Sequence, residues 1–362
     1  MEFLLDLGLP ELEERLREWG QPAYRARQIW DWVHKRGAAR FAEMTNLPAD
    51  LRGRLEAQFV LNPFTPVSES LSSDRRTRKL ALRLPDGEVI EAVWMRYETR
   101  DSVCVSTQAG CGMGCVFCAT GQGGFRRNLT AGEIVAQVLA FSRMLTAEGR
   151  RVTNVVFMGM GEPFANYDAV WKAVGILTDP AGLGLGARHL VISTVGLIPG
   201  IRRFAAEKSQ VRLAVSLHAP DDELRDRLVP INRTYPIPQL MDALRDYVKQ
   251  TGRRVTFEYA LIAGVNDGPE QARALAALLK GLDAHVNLIP LNPTTGSPLR
   301  PSPRDQVRWF QTILGNNAIS CTVRLGRGID IQAACGQLRA RTLSTTEQSH
   351  RRERRDHREN EE

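Results

Sequence analysis

AGCGMGCVFCATG, residues 109–121, gathers three of the chain's six cysteines into eight positions. Cys111, Cys115 and Cys118 follow a strand-like segment, SVCVS, and stand among Gly110, Gly112 and Gly114, which let a backbone wrap closely round a bulky group. Closed structural metal sites use four protein ligands, so three thiolates leave one position for something else. Thiolates suit zinc or iron–sulfur chemistry. A four-iron cubane held by three thiolates keeps one iron open to an exchangeable ligand. Catalytic zinc on three protein ligands is the rival; such sites usually include a histidine, and none lies near this loop.

Working outward from the loop, the chain repeats strand, connection, helix. Strands are expected at SVCVS (102–106), NVVFM (154–158), LVIST (190–194), RLAVSL (212–217), VTFEYALI (255–262) and HVNLIPL (285–291). The stretches between them have helical periodicity. In LTAGEIVAQVLAFSRML, Thr130 and Glu133 are spaced as a capping box, and Ile134, Val135, Val138, Leu139 and Leu145 share a stripe. About six β-α units imply an α/β fold with a parallel sheet rolled into a full or partial barrel. Chemistry in such folds sits at the C-terminal ends of the strands. Polar residues end several of these strands: Gly161 and Glu162 in MGMGEP, Ser193, then Ser216 and His218 in VSLHAP, and Asn292 in IPLNP.

Before the barrel, residues 1–60 read as a helical accessory domain, with Leu12, Leu16 and Trp19 at helical spacing and Ile29, Trp30 and Val33 on one side of the next helix. Residues 61–102 read as a linker with a β-hairpin, KLALRLPDGEVIEAVWMRY, turning at PDGE. The core is placed at 103–338. Residues 339–362 have too few apolar residues to pack and read as a disordered charged tail.

Net charge is +7 over 362 residues, with basic clusters at DRRTRK (74–79), YRARQ (24–28) and two Arg-Arg pairs. A polyanionic partner or plain solubility explains such a surface equally well. No apolar run reaches the roughly 18 residues of a membrane span, and the N-terminus lacks the features of an export signal. The expected location is the cytoplasm. There, six cysteines are read as ligands, nucleophiles or core filler rather than a disulfide framework. Cys321 alternates within AISCTVRLG and is expected in the core. Cys104, seven residues before Cys111, and Cys335, in GRGIDIQAACGQL, stand apart from the loop, and either is an alternative fourth ligand.

C-x3-C-x2-C with Phe117 before the last cysteine resembles the radical S-adenosylmethionine superfamily. The resemblance implies a partial (β/α)6 barrel and a [4Fe-4S] cluster on Cys111, Cys115 and Cys118, with S-adenosylmethionine chelating the open iron. Its reductive cleavage would give a 5′-deoxyadenosyl radical. The resemblance further implies cofactor contacts at Gly161, Glu162, Ser193, Ser216, Leu217, His218 and Asn292.

MGMGEP, SLHAP, LNP and RGIDIQAACGQL together resemble one subgroup, the RlmN family of dual-specificity adenine carbon-2 methyltransferases, from the N-terminal helices to about residue 340. Its implied substrates are 23S ribosomal RNA and transfer RNA, the latter at the adenosine 3′ of the anticodon. Carbon 2 of adenine has no nucleophilic electron pair, so direct methyl displacement is unreasonable. In the family's chemistry one S-adenosylmethionine methylates Cys335 by substitution at a thiolate. A second is cleaved, hydrogen is abstracted from that methyl group, and the resulting carbon radical adds to adenine. Glu91 is the implied proton acceptor. Cys104 then attacks the Cys335 sulfur, leaving a transient Cys104–Cys335 disulfide. The implied needs are two S-adenosylmethionine per turnover, a one-electron reductant and a disulfide reductant; the chain is expected to be a monomer. Arg75, Arg76, Arg78 and Lys79 are candidate RNA contacts, for an adenosine extruded from its stack.

Three alternatives stand beside this reading. A sister enzyme methylates adenine carbon 8 with the same cysteines. A radical enzyme acting on protein needs the cluster loop but not Cys104 or Cys335. A non-catalytic iron–sulfur or zinc RNA-binding protein would form no 5′-deoxyadenosine.

Overall fold

The computed structural model describes residues 2–339 apart from Thr295 and Leu325, so the expected tail, except Arg339, lies outside the described residues. The N-terminal segment holds strand β1 (Glu2–Phe3) and helices α1 (Leu9–Glu18), α2 (Tyr24–His34) and α3 (Ala49–Gln58), with β2 (Phe59–Val60) pairing parallel to β1. Leu12 and Leu16 of α1 and Ala26, Ile29, Trp30 and Val33 of α2 form the buried stripes that helical spacing requires. These helices share one hydrophobic core with the barrel. Asp6 accepts a 2.6 Å hydrogen bond from the Gly132 N–H, and Arg143 donates to the carbonyls of Gly37 and Ala38 at 2.9 and 3.2 Å.

Strands β3 (Thr65–Leu71), β4 (Thr77–Arg83) and β5 (Val89–Arg96) run antiparallel, with β4 and β5 joined across PDGE. β5 pairs antiparallel with β6 (Asp101–Cys104). A short ribbon, β7 (Gln108–Gly110) with β8 (Phe125–Asn128), closes the base of the cysteine loop, which also carries a single helical turn, α4 (Ala119–Gln122). Then come α5 (Ala131–Ala147), β9 (Asn154–Phe157), α6 (Tyr167–Thr178), β10 (Leu190–Thr194), α7 (Ile198–Ala206), β11 (Arg212–Ser216), α8 (Asp222–Leu228), α9 (Ile237–Thr251), β12 (Val255–Leu261), α10 (Pro269–Leu279), β13 (Ala284–Pro290), α11 (Arg304–Asn316) and β14 (Ser320–Val323). The capping box forms at α5: Thr130 Oγ1 accepts from the Glu133 N–H at 3.1 Å, and the Glu133 carboxylate accepts from the Thr130 N–H at 2.9 Å.

The main sheet has the order β14-β13-β12-β11-β10-β9-β6-β5-β4-β3. From β6 to β14 all neighbours are parallel. The six expected strands are present, and β14 adds a seventh. The sheet stays open, with β3 and β14 at its edges, and the segment after β14 crosses the gap. Lys79 of β4 donates to the Gln332 carbonyl at 3.2 Å, Arg327 to the Arg96 carbonyl at 3.2 Å, and the Arg339 N–H to Glu91 at 2.8 Å. Thr120 Oγ1 donates to the Leu338 carbonyl and the Ala119 N–H to that of Gly336, which ties the same segment to the cysteine loop. Cys321, expected in the core, is only half-buried on edge strand β14, its thiol 3.7 Å from the Gln311 carbonyl, because an edge strand has a neighbour on one side only.

Candidate active site

The cysteine loop leaves the ribbon through a backbone that tolerates no side chain. Gly110 has φ +73°, and a Cβ there would run into the Gly124 carbonyl; at Gly121 it would stand 3.1 Å from the Cys115 nitrogen. This winding puts Cys115 and Cys118 on the wall of a cavity of about 160 Å³ at the C-terminal ends of the strands. Burial, reinforced by the other two cysteines, pushes the Cys115 thiol far up, and burial raises Cys111 to about 11. Three cysteines of one loop suit an iron–sulfur cluster, which would take them as thiolates.

The remaining wall comes from Gly159, Gly161 and Glu162 after β9, Ser193 and Thr194 at the end of β10, Ser216 and His218 after β11, Glu258 of β12, and Asn292 after β13. Gly161 adopts φ +104°, and a Cβ would lie 2.6 Å from that of Gln108. The buried Glu162 carboxylate accepts from the N–H groups of Phe164 and Val195 at 3.0 and 2.9 Å. Burial nevertheless raises its pKa to about 7, so a cationic amino group in the cavity would complete its partners. His218 sits at φ +61°, a strained conformation for a non-glycine residue. The Asn266 amide holds the His218 carbonyl at 2.8 Å, and its Nδ1 accepts from the Ala260 N–H at 3.0 Å. Burial, then the Arg225 charge, lowers its pKa to about 3. The ring is therefore neutral, with its proton on Nε2, and stands edge-on to Phe117 at 4.7 Å. Leu217 does not reach the cavity; its side chain is fully buried in the core.

Cys335 belongs to this cavity and also to a smaller one of about 50 Å³, which it shares with Cys104, Met95, Tyr97, Met158 and Arg324. Cys335 is exposed and borders both hollows. Asn292 contributes to both walls and donates to the Cys335 carbonyl at 3.0 Å. Cys104 is buried, and burial, then the neighbouring Cys335, pushes its thiol up to about 12. Burial raises Cys335 too, but Arg324 opposes the shift. Of the two outlying cysteines, Cys104 is disfavoured as a fourth cluster ligand, since it is not on the wall of the cavity that Cys115 and Cys118 line; Cys335 borders that cavity and also shares the smaller one with Cys104.

Glu91 lines neither cavity. Val93 is the register partner of Cys104, and residues two apart share a face of a strand, so Glu91 is on the same sheet face as Cys104. Its buried carboxylate pairs with Lys79 at 2.9 Å and accepts from the Arg339 N–H. Lys79 is thus turned inward, and Arg78 is paired with Glu69 at 2.6 Å; of the basic turn, Arg75 and Arg76 are exposed.

Two residues of the site escaped the sequence reading. Arg225, fully buried, donates to the carbonyls of Leu217, Val195 and Ser216 at 3.1, 2.6 and 3.3 Å, and to Asn232 at 2.7 Å, locking together the loops after β10 and β11. In DELRDRL it looks like one charge of a solvated helix. Glu258 accepts from Asn287 at 2.8 Å and pairs with Arg324 at 3.3 Å, bridging the two cavities. Its position inside a strand resembled a pore-facing or solvent-facing charge equally.

With this geometry in place, the comparisons are consistent. Residues 3–61 match the ribosomal RNA large subunit methyltransferase N-terminal domain, and residues 105–276 match the radical SAM superfamily. "Probable dual-specificity RNA methyltransferase RlmN" of Chloroflexus aurantiacus is 53% identical over 359 residues, covering 95% of each chain. "Dual-specificity RNA methyltransferase RlmN 1" of Myxococcus xanthus is 50% identical over 337 residues, covering 93% of this chain and 94% of its own. The crystal structure of a radical SAM methyltransferase from Sphaerobacter thermophilus superposes with a TM-score of 0.93 at 53% identity, covering 94% of this chain and all of that one. The chain therefore belongs to the RlmN family of radical S-adenosylmethionine dual-specificity RNA methyltransferases.

Proposed function

We propose that this enzyme methylates carbon 2 of an adenosine in 23S ribosomal RNA and of the adenosine 3′ of the anticodon in transfer RNA. The observation that carries this reading is the position of Cys335 between the cavity of the cluster loop and the cavity of Cys104. A thiol at that boundary can take up a carbon unit on one side and hand it on beside a resolving thiol on the other.

Cys111, Cys115 and Cys118 would hold a [4Fe-4S] cluster, whose chemistry with S-adenosylmethionine is one-electron cleavage of a sulfur–carbon bond. Glu162 and the Gly161 backbone would receive the methionine amino group. Ser193, Ser216, His218 and Asn292 would orient the rest, with Leu217 contributing only its backbone. His218, neutral and an Nε2 donor, can hydrogen-bond the cofactor without charge repulsion. The Cys335 thiolate, favoured by Arg324, would displace a methyl group from one S-adenosylmethionine. After hydrogen abstraction, the S-bound carbon would add to adenine, and Glu91, once released from Lys79, would take the carbon-2 proton. Attack of the Cys104 thiolate on the Cys335 sulfur would form the S–S bond as the S–C bond breaks; the freed methylene would take up a proton to become the methyl group, and the one unpaired electron would leave to an external one-electron carrier. Two S-adenosylmethionine are used per turnover, and external donors supply an electron and reduce the disulfide. We place residues 1–60, 61–102 and 103–338 as accessory domain, hairpin linker and catalytic core, in a cytoplasmic monomer. Among the described residues, no helix is long and apolar enough to cross a membrane.

The test is to incubate anaerobically reconstituted enzyme with 23S ribosomal RNA fragments, transfer RNA and labelled S-adenosylmethionine, and identify the labelled nucleoside. 2-Methyladenosine in both RNAs is expected. 8-Methyladenosine, or label in protein only, overturns the reading.

A further inference from the structure

The thiol cavity, lined by Cys104, Met158, Arg324 and Cys335, is the smaller of the two hollows that Cys335 borders. It continues into an open groove of about 780 Å³, with Tyr97, Arg324, Gly326 and Arg327 belonging to both. Arg76, Arg100 and Ile329 complete the part of the groove used here. The groove gives a nucleotide a route to Cys335 on the side away from the cluster loop.

The groove's charge is unusually disposed. The guanidiniums of Arg100 and Arg327 both stand against the Tyr97 ring, at 4.3 and 4.4 Å from its centroid. Each such contact is worth about 0.5–1 kcal/mol at an exposed site, and drawing two cations onto one ring opposes that gain. An anion at the rim that bonds the guanidinium edges would offset this repulsion. The groove also holds two carboxylates: Asp74 accepts from Ser72 and from the Arg76 N–H at 2.6 and 3.0 Å and lies in the field of Arg327 and Arg76, and Asp330 accepts from the Ser73 N–H at 2.9 Å. Guanidiniums remain in excess, with Arg76, Arg100, Arg324 and Arg327 against Asp74 and Asp330. Among the described residues the ion pairs at this end of the sheet are Arg78–Glu69, Lys79–Glu91 and Arg324–Glu258; Arg76, Arg100 and Arg327 are in none. A second hollow of about 420 Å³ adjoins it, lined by Arg75, Arg76 and Arg96 together with Tyr97, Asp74 and Glu98, so its arginines outnumber its carboxylates by one. Guanidinium edges grip phosphates, and guanidinium planes stack on unpaired bases.

We propose that the Arg100–Tyr97–Arg327 cluster clamps the RNA strand beside the reacting adenosine, and that the groove it borders is the path of that nucleotide to Cys335. The proposal rests on RNA being the substrate. It moves the main RNA contact from the basic turn, where Arg78 and Lys79 are occupied, to the rim of the thiol cavity.

The test measures binding of a stem–loop RNA carrying an unpaired adenosine, as a function of salt, by full-length reconstituted enzyme. Arg100→Ala and Arg327→Ala are each expected to weaken binding about tenfold and to lower the salt slope by about 1. Arg327→Lys should keep the slope and still lose about threefold, because a point charge cannot stack. Circular dichroism and iron content, measured for every variant, certify folding independently of the chemistry at Cys335. Arg245→Ala, which removes an exposed charge on α9, is the control and should bind normally. Wild-type affinity in the two alanine variants overturns the clamp, as does wild-type affinity in Arg327→Lys or an equal loss in Arg245→Ala. If wild-type enzyme itself modifies no RNA, the substrate reading falls and takes the clamp with it.

Discussion

Arg225→Met tests whether one buried cation holds the cofactor cavity in shape. Burial lowers the Arg225 pKa from 12.5 to about 10, so keeping the charge inside costs about 3 kcal/mol. Against this stand four hydrogen bonds from a charged donor, each worth about 1.5 kcal/mol at the low end of the usual range, or about 6 in all. Methionine fills much of the volume and relieves the charge, leaving a net loss of about 3 kcal/mol. In a chain of this size that lowers the melting temperature by roughly 5 °C. Because three of the acceptors are carbonyls at the ends of β10 and β11, S-adenosylmethionine affinity should fall as well. Calorimetric melting of the free protein and titration with S-adenosylmethionine provide the two readouts. A variant that melts within about 1 °C of wild type and binds the cofactor equally well would refute the reasoning.

Gly161→Ala should cost about 2–4 kcal/mol, from φ +104° and a Cβ 2.6 Å from Gln108, whereas Gly20→Ala, at φ +72° with nothing within 4 Å, should cost only about 1; urea unfolding compares them. Acid should destabilise the protein through His34 and His218, whose folded pKa values near 3 lie below the unfolded 6.5. Between those values the unfolded chain binds more protons, so stability falls as pH drops below 6.5, by up to about 1.4 kcal/mol per pH unit for each ring. His218→Gln should remove about half of that slope in urea titrations at pH 4–6. Glu162→Gln turns an NH₂ toward one of two N–H donors, and S-adenosylmethionine should bind at least about tenfold more weakly by calorimetry.

Most of the scaffold could be read because its signals are local. The Thr130–Glu133 box, the stripe of α5 and the apolar strands ending in Gly161, Ser193, Ser216 and Asn292 each carry their own periodicity or cap. The cysteine loop was equally plain, since thiol spacing and glycines are adjacent in the chain. What escaped depends on distant partners. Nothing near Glu258 announces Arg324, and nothing near Arg225 announces three carbonyls from two other loops. The ribbon of β7 and β8 is too short for any period to register. The bond from the Arg339 N–H to Glu91 exists only once the segment after β14 has crossed the open edge of the sheet.

Mass spectrometry of the peptide containing Cys335 tests the central claim most directly, after anaerobic incubation of reconstituted enzyme with S-adenosylmethionine bearing a deuterated methyl group. A labelled S-methyl group on Cys335 is expected before RNA is added, and its carbon should then appear in the modified adenosine. Labelled adenosine formed while Cys335 never carries the methyl group, or formed by Cys335→Ser at the wild-type rate, would contradict it.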